Sequence, residues 1–360
     1  MLLHASRRDF MVCAGAAALG FLPRRLIGQS NARPLITFGV VADCHYADIP
    51  TGGSRYYRES DEKLSECVSA MNAAQADFLV EVGDFKDQGG DAAATLGFLR
   101  EIEQVYAGFQ GARYHVLGNH DMDRISKAQF MGEIENTGIA TGRTFYSFDR
   151  QGVHFVVLDA NFRADGSDYD SGNFDWTESY VPQHELDWLA DDLASSAPLP
   201  TVVFVHQLLD ADVGAVYVRN AAAVRAVLEA CGRVCAVFQG HHHAGGHQVR
   251  NGIHYVTQKA VVEGTGAENN AYSLVSFYAD GRLDITGFRR ADSFNFFGAP
   301  VTAAGASSSY SGATMVDTRT GMREQTADKG SLDMRTFSVS CSVPHALDTR
   351  RRPGTLFGVS

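Results

Sequence analysis

Five buried-strand patterns in this chain each run directly into a polar cluster. Leu35–Ala42 (LITFGVVA) precedes Asp43-Cys44-His45, and Asp77–Val82 (DFLVEV) precedes Gly83-Asp84. Tyr114–Leu117 (YHVL) leads to Gly118-Asn119-His120-Asp121, and Thr201–His206 (TVVFVH) ends on an imidazole. Val234–Gln239 opens onto Gly240-His241-His242-His243. Near-continuous apolar runs belong to strands covered on both faces, and open α/β sheets carry their sites beyond the strand ends. Residues two apart on an extended chain project to one side. Asp43 and His45 are therefore expected to converge, as are His241 and His243, with Cys44 and His242 facing away. Singly, such residues are ordinary, since an Asp after a strand usually caps a turn or helix. Together they supply carboxylate, imidazole and amide oxygen, which are donors that a divalent transition metal accepts.

Between these runs lie helical patterns at Glu59–Ala76, Asp91–Tyr106, Gln183–Ala194 and Asn220–Ala230. Thr144–Asp149 and His154–Leu158 read as a hairpin, and short strands are expected at His254–Thr257, Tyr272–Tyr278 and Leu283–Phe288. Mixed strands and helices on this scale indicate α/β layers, with a second run of antiparallel strands. Asn161–Tyr180 is polar, acidic and aromatic together, the signature of a long surface loop. Its Tyr169, Phe174 and Trp176 either cap a pocket or pin the loop to the body. Residues 297–360 turn to small and polar types without a sustained period, and a disordered or peripheral tail is expected there.

With 31 basic against 42 acidic residues the net charge is −11, which repels a phosphate backbone and excludes broad nucleic-acid binding. No apolar stretch reaches the roughly 20 residues that span a bilayer, so no transmembrane segment is expected. The cysteines (Cys13, Cys44, Cys67, Cys231, Cys235 and Cys341) are scattered, with no CxxC pair and no disulfide framework. Gly232 marks a helix end between Cys231 and Cys235. At the N-terminus, Ser6-Arg7-Arg8-Asp9-Phe10-Met11 resembles a twin-arginine export signal, followed by an apolar run from Phe10 to Leu22 that Pro23 breaks. Residues 1–32 are thus expected to be a signal peptide, handled by the twin-arginine machinery and placing the protein in the periplasm or outside the cell. The alternative is an amphipathic N-terminal helix that stays in place.

The ordered set of clusters resembles the calcineurin-like metallophosphoesterase family, whose pattern is D-x-H, G-D-x-x-D, G-N-H-D/E, a strand-end H and G-H-x-H. Here it reads Asp43–His45, Gly83–Asp87, Gly118–Asp121, His206 and Gly240–His243. The resemblance covers residues 35–290 and implies one such domain over 33–296. It implies a four-layer α-β-β-α sandwich of two mixed sheets flanked by helices, and a centre of two divalent metal ions (Mn, Fe or Zn). By position, Asp43, His45, Asp84 and His243 would hold one metal. Asp84 would bridge to a second, completed by Asn119, His206 and His241. Such a pair polarises phosphoryl oxygens and acidifies a bridging water, and the resulting hydroxide attacks phosphorus in line. His120 would then stabilise the transition state or protonate the leaving oxygen. Asp121 either orients His120 or caps the turn.

The segment FGVVADCHYADIPTGGSRYYRES is similar to the start of the Mn-dependent ADP-ribose/CDP-alcohol diphosphatases, which carry a comparable RYYR element. His45 stands where that group often has Gln. In the functional reading Arg55 and Arg58 grip a phosphate while Tyr56 or Tyr57 stacks on a base. In the alternative, the tyrosines pack under the next helix and the arginines are solvated. The expectation is an exported phosphoric-ester hydrolase acting on a small phosphorylated substrate, a nucleotide-like phosphodiester or pyrophosphate. The alternatives are a phosphomonoesterase, or an inactive metal-stabilised binding protein.

Overall fold

The computed structural model describes residues 33–297. The expected signal segment 1–32 lies outside the described residues, as does the expected tail from residue 298 onward. The first sheet begins with β1 (Ile36–Val41), followed by α1 (Ser60–Ala73), β2 (Phe78–Glu81), α2 (Ala92–Tyr106), β3 (Ala112–His115) and α3 (Lys127–Glu133). The second sheet follows with β4 (Tyr146–Arg150), β5 (Val153–Val157), α4 (Gln183–Ser195), β6 (Thr201–Phe204), α5 (Ala221–Cys231), β7 (Val234–Gln239), β8 (Gly246–Arg250) and β9 (Ile253–Thr257). The chain then returns to the first sheet through β10 (Ala271–Phe277), β11 (Arg282–Arg289) and β12 (Phe294–Phe297).

Each sheet has six strands, in the orders β12-β11-β10-β1-β2-β3 and β4-β5-β6-β7-β9-β8. Parallel pairs join β1, β2 and β3 in one sheet and β5, β6, β7 and β9 in the other, with antiparallel pairs beyond them. Alternate residues of each strand serve different layers. Phe38 and Val40 face the core between the sheets, whereas Val41 faces the helices. Phe38 stacks on Phe78 at 4.8 Å and meets Phe155, Phe204 and Phe238 edge-on from the opposite sheet. Each such ring contributes about 1.5–3 kcal/mol by leaving water.

Leu64, Cys67, Val68 and Met71 recur at helical spacing and turn one stripe of α1 onto the first sheet beside α2. On the other sheet Leu186, Leu189 and Leu193 of α4 pack with Val224 and Leu228 of α5. The result is the four-layer α-β-β-α sandwich expected.

Four elements depart from the sequence reading. β3 starts earlier than Tyr114 and ends at His115. α3 was not anticipated, although Ser126 and Gln129 form a capping box that starts it. β8 and β12 were not anticipated, and β12 carries the described chain to Phe297. Both are edge strands, whose solvent side blurs the alternation that marks a strand in sequence. Among the described residues all cysteines are free thiols, and Gly232, at φ 68°, ends α5 as anticipated.

Candidate metal centre

The polar clusters emerge where β1, β2, β3, β6 and β7 end, so all five meet at one rim of the sandwich. The backbone that brings them together is not extended. Asp43 (φ 55°), His45 (46°), Asp84 (57°) and His241 (64°) all occupy the left-handed region. Each such residue costs on the order of 1–3 kcal/mol unless its surroundings hold it there. Here the Asp43 N–H donates to the Gly83 carbonyl at 2.9 Å, and the His45 N–H to that of Asp84 at 2.8 Å. Asp43 and His45 therefore converge through successive turns rather than by strand alternation. His241 and His243 do not share a side: the first joins Asp84 and His206, the second Asp43 and His45. Glycine is required at two contacts. A Cβ on Gly83 (φ 89°) would lie 2.5 Å from His206 Nδ1, and one on Gly118 would overlap the backbone nitrogen of Asp84.

The proposed ligands form two clusters, Asp43–His45–His243 and Asp84–His206–His241, whose donor atoms lie within 4.8 Å of one another in each. His120 makes two more, with His45 and Asp84 and with Asp87 and Asp123. Asp84 Oδ2 sits between the first two, 3.5 Å from His45 Nε2 and 3.1 Å from His206 Nε2. Asn119 Oδ1 and His241 Nε2 are buried and make no hydrogen bond, while His206 Nε2 meets the Asp84 carboxylate. An orphaned buried polar atom costs about 1–3 kcal/mol, and two at one point suit a shared cation. The remote ring nitrogens are already engaged. His206 Nδ1 donates to the Val82 carbonyl at 2.8 Å, while His243 Nδ1 lies 2.6 Å from Glu263 and His45 Nδ1 3.3 Å from Asp87. That arrangement aims each Nε2 at the cluster, as metal-binding histidines require. The residues present therefore fit two divalent ions.

Without cations the electrostatics are divided. Burial, with Asp84 and Glu81 adding to it, holds the Asp43 carboxyl well above its usual range. Burial pushes His45 down to about 3 and lowers His241 and His243. Burial opposes the charge of Asp84 and of His206, yet their mutual attraction wins. Asp84 falls well below the carboxylate range, and His206 rises to about 10.

His120 stands beside the clusters on the short 3-10 turn Asn119–Met122. Its backbone N–H donates to Asp84 Oδ1 at 2.7 Å, and its Nδ1 lies 2.7 Å from Asp123 and 3.8 Å from Asp87. Burial pulls its pKa down, but Asp84, Asp123 and Asp87 outweigh burial and raise it to about 9. Asp121 does not touch this ring. Its oxygens accept the N–H groups of Asp84, Phe85 and Gly118, so it ties two loops together, and Asp123 makes the contact expected of it. Asp123 was legible as the i+3 partner of His120 across a 3-10 turn. Glu263 was not, because it reaches His243 from a separate loop.

In the Arg-Tyr-Tyr-Arg segment the two arginines part company. Arg55 pairs its backbone with Glu263, and its charge lowers the His243 pKa after burial and Glu263 have acted. Arg58 is exposed and turned to Asp48 at 2.5 Å. The Tyr56 N–H donates to the Val262 carbonyl. His247 lies apart from the clusters, stacked with His254 and Phe296.

The chain's similarity to known proteins agrees with this geometry. Residues 36–245 match the family model described as calcineurin-like phosphoesterase. A manganese-dependent ADP-ribose/CDP-alcohol diphosphatase of Oryza sativa subsp. japonica is 29% identical over 309 residues, covering 74% of this chain and 96% of the relative. A cAMP/cGMP dual specificity phosphodiesterase of Mycobacterium tuberculosis is 29% identical over 61% of this chain and 65% of its own length. Among solved structures, a dimetal phosphatase from Danio rerio shares the fold at a TM-score of 0.65 and 22% identity, covering 75% of this chain and 100% of that one. With the family model spanning all five clusters, this chain belongs to the calcineurin-like phosphoesterases.

Proposed function

We propose that this chain is a dinuclear-metal hydrolase of a nucleotide-like diphosphate, of the ADP-ribose or CDP-alcohol class. The observation that carries the reading is Asp84 standing between two clusters, with Asn119 Oδ1 and His241 Nε2 buried beside it and without a hydrogen bond. Asp43, His45, Asp84 and His243 would hold one ion, and Asp84, Asn119, His206 and His241 the other. Bound there, a metal pair supplies Lewis acidity and a water acidic enough to attack phosphorus in line. The chain's own part is positional. Glu263, Asp87 and the Val82 carbonyl fix the ligand rings, and Arg55 brings positive charge to the His243 side. His120, held by Asp123, would give the leaving oxygen its proton. The diphosphate class is supported by the diphosphatase relatives and by the Arg-Tyr-Tyr-Arg segment. We also propose that residues 1–32 direct export through the twin-arginine route.

The test is hydrolysis by the purified protein supplemented with Mn²⁺, Zn²⁺ or Fe²⁺, offered ADP-ribose, a CDP-alcohol, cAMP and a phosphomonoester, with products identified. Cleavage of the diphosphates, lost together with bound metal in Asp84→Asn, is the expected result. A second reading, cyclic-nucleotide phosphodiesterase, rests on the mycobacterial relative, and turnover of cAMP alone would establish it. Turnover of the monoester alone would replace both readings with a phosphatase.

A further inference from the structure

The segment Asn161–Tyr180 between β5 and α4 is fastened along its length. At its base the Tyr180 N–H donates to the Phe162 carbonyl and the Tyr169 N–H to that of Asn161, each at 3.1 Å. Lys127 holds Asp159 and Asp168 at 2.7 Å each. The Ser171 and Gly172 N–H groups reach the carbonyls of Ile125 and Met122, and Tyr169 stacks on Phe174 at 4.4 Å. Arg219 binds the Thr177 carbonyl through Nε at 2.7 Å. Of the two roles open to its aromatics, Tyr169 and Phe174 pin the loop. Trp176 does not: it is 45% exposed, and its ring centroid lies 5.6 Å from that of His241, inclined at 66°. A fixed loop thus holds an indole out in water beside a proposed metal ligand, where burial gives it no reason to be.

We propose that Trp176 is the platform on which the base of the substrate stacks, so that the nucleoside lies on the His241 side of the centre. The inference rests on the nucleotide reading above and deepens it. Indole is a broad, rigid surface for a planar base, and stacking needs no charge complement from an acidic chain. A base joined through ribose to a phosphate at the centre can reach a ring this close to His241.

The chain has 2 tryptophans, and the other, Trp188, packs on the α4 core beside Phe145. Trp188→Phe therefore leaves Trp176 as the reporting fluorophore. In that Mn²⁺-loaded protein AMP should quench the emission saturably, and ribose 5-phosphate should not. Trp176→Ala should weaken inhibition by AMP roughly ten- to a hundredfold, the weight of one base–aromatic stack. It should weaken inhibition by ribose 5-phosphate less than about threefold, while Trp176→Phe retains most of the preference. Equal losses for the two ligands, no loss for either, absence of quenching by AMP, or metal loss in Trp176→Ala would each overturn the platform. Saturable quenching by AMP in a protein that leaves ADP-ribose intact would instead sink the diphosphatase reading and leave the platform standing.

Discussion

His120 combines a position and a partner that set it apart from the proposed ligands. One ring nitrogen is committed to Asp123, which leaves the other as the nitrogen able to meet a leaving oxygen. His120→Ala should keep both metals and lower kcat by about 10²–10⁴. The loss should shrink with a nitrophenolate leaving group, which needs no proton. Asp123→Asn should lose less, and the double variant should be no worse than His120→Ala, because the two act as a unit. Metal content by elemental analysis and kcat on two leaving groups check this. Metal loss on removing His120 would make it a ligand. At this scale the sequence carried which side chains would meet at the rim, since Asp43, Asn119 and His206 were singled out by their motif context alone. It did not carry φ. The left-handed turns at Asp43, His45, Asp84 and His241 depend on contacts with other loops, and strand alternation gave the wrong geometry for them.

Between elements, the first sheet and α2 enclose a charged cluster that catalysis does not use. His115 of β3 lies 3.7 Å from Glu81 of β2 and 3.1 Å from Glu103 of α2, all three largely shut off from water. Burial opposes its charge, but Glu103 and Glu81 raise its pKa to about 9. A histidine whose folded pKa exceeds its unfolded value of about 6.5 stabilises fully below that value, and the stabilisation fades as pH rises through the folded pKa. Wild type should therefore exceed His115→Gln in Tm at pH 6, with the gap closing between about pH 6.5 and 9. A gap that stays constant or widens with pH would show that His115 is neutral in the fold. Helix and strand existence was read correctly wherever the apolar run was long, as at β1 and β7. It failed at α3, where seven residues give too short a period and only the Ser126–Gln129 box speaks for a helix.

The whole molecule is two sheets whose strand ends share one rim, and the order of strands within each sheet was the least legible feature. β10 enters beside β1 after more than 200 residues, a pairing no local pattern records. The proposed export belongs to this scale as well. Replacing Arg7 and Arg8 together by Lys should leave unprocessed protein in the cytoplasm, since ammonium does not substitute for paired guanidinium groups in geometry or hydrogen bonding. Fractionation and N-terminal sequencing check it, and unchanged appearance of processed protein outside the cytoplasm would refute the signal. The division of donors between the sheets reaches further still. Asp43, His45, Asp84 and Asn119 follow strands of one sheet, and His206, His241 and His243 follow strands of the other. Each proposed ion draws on both, so neither sheet by itself carries the full donor set of either ion. A gene truncated before β7 would lose a proposed ligand from each ion at once, so shortening the chain from that side weakens both ions together.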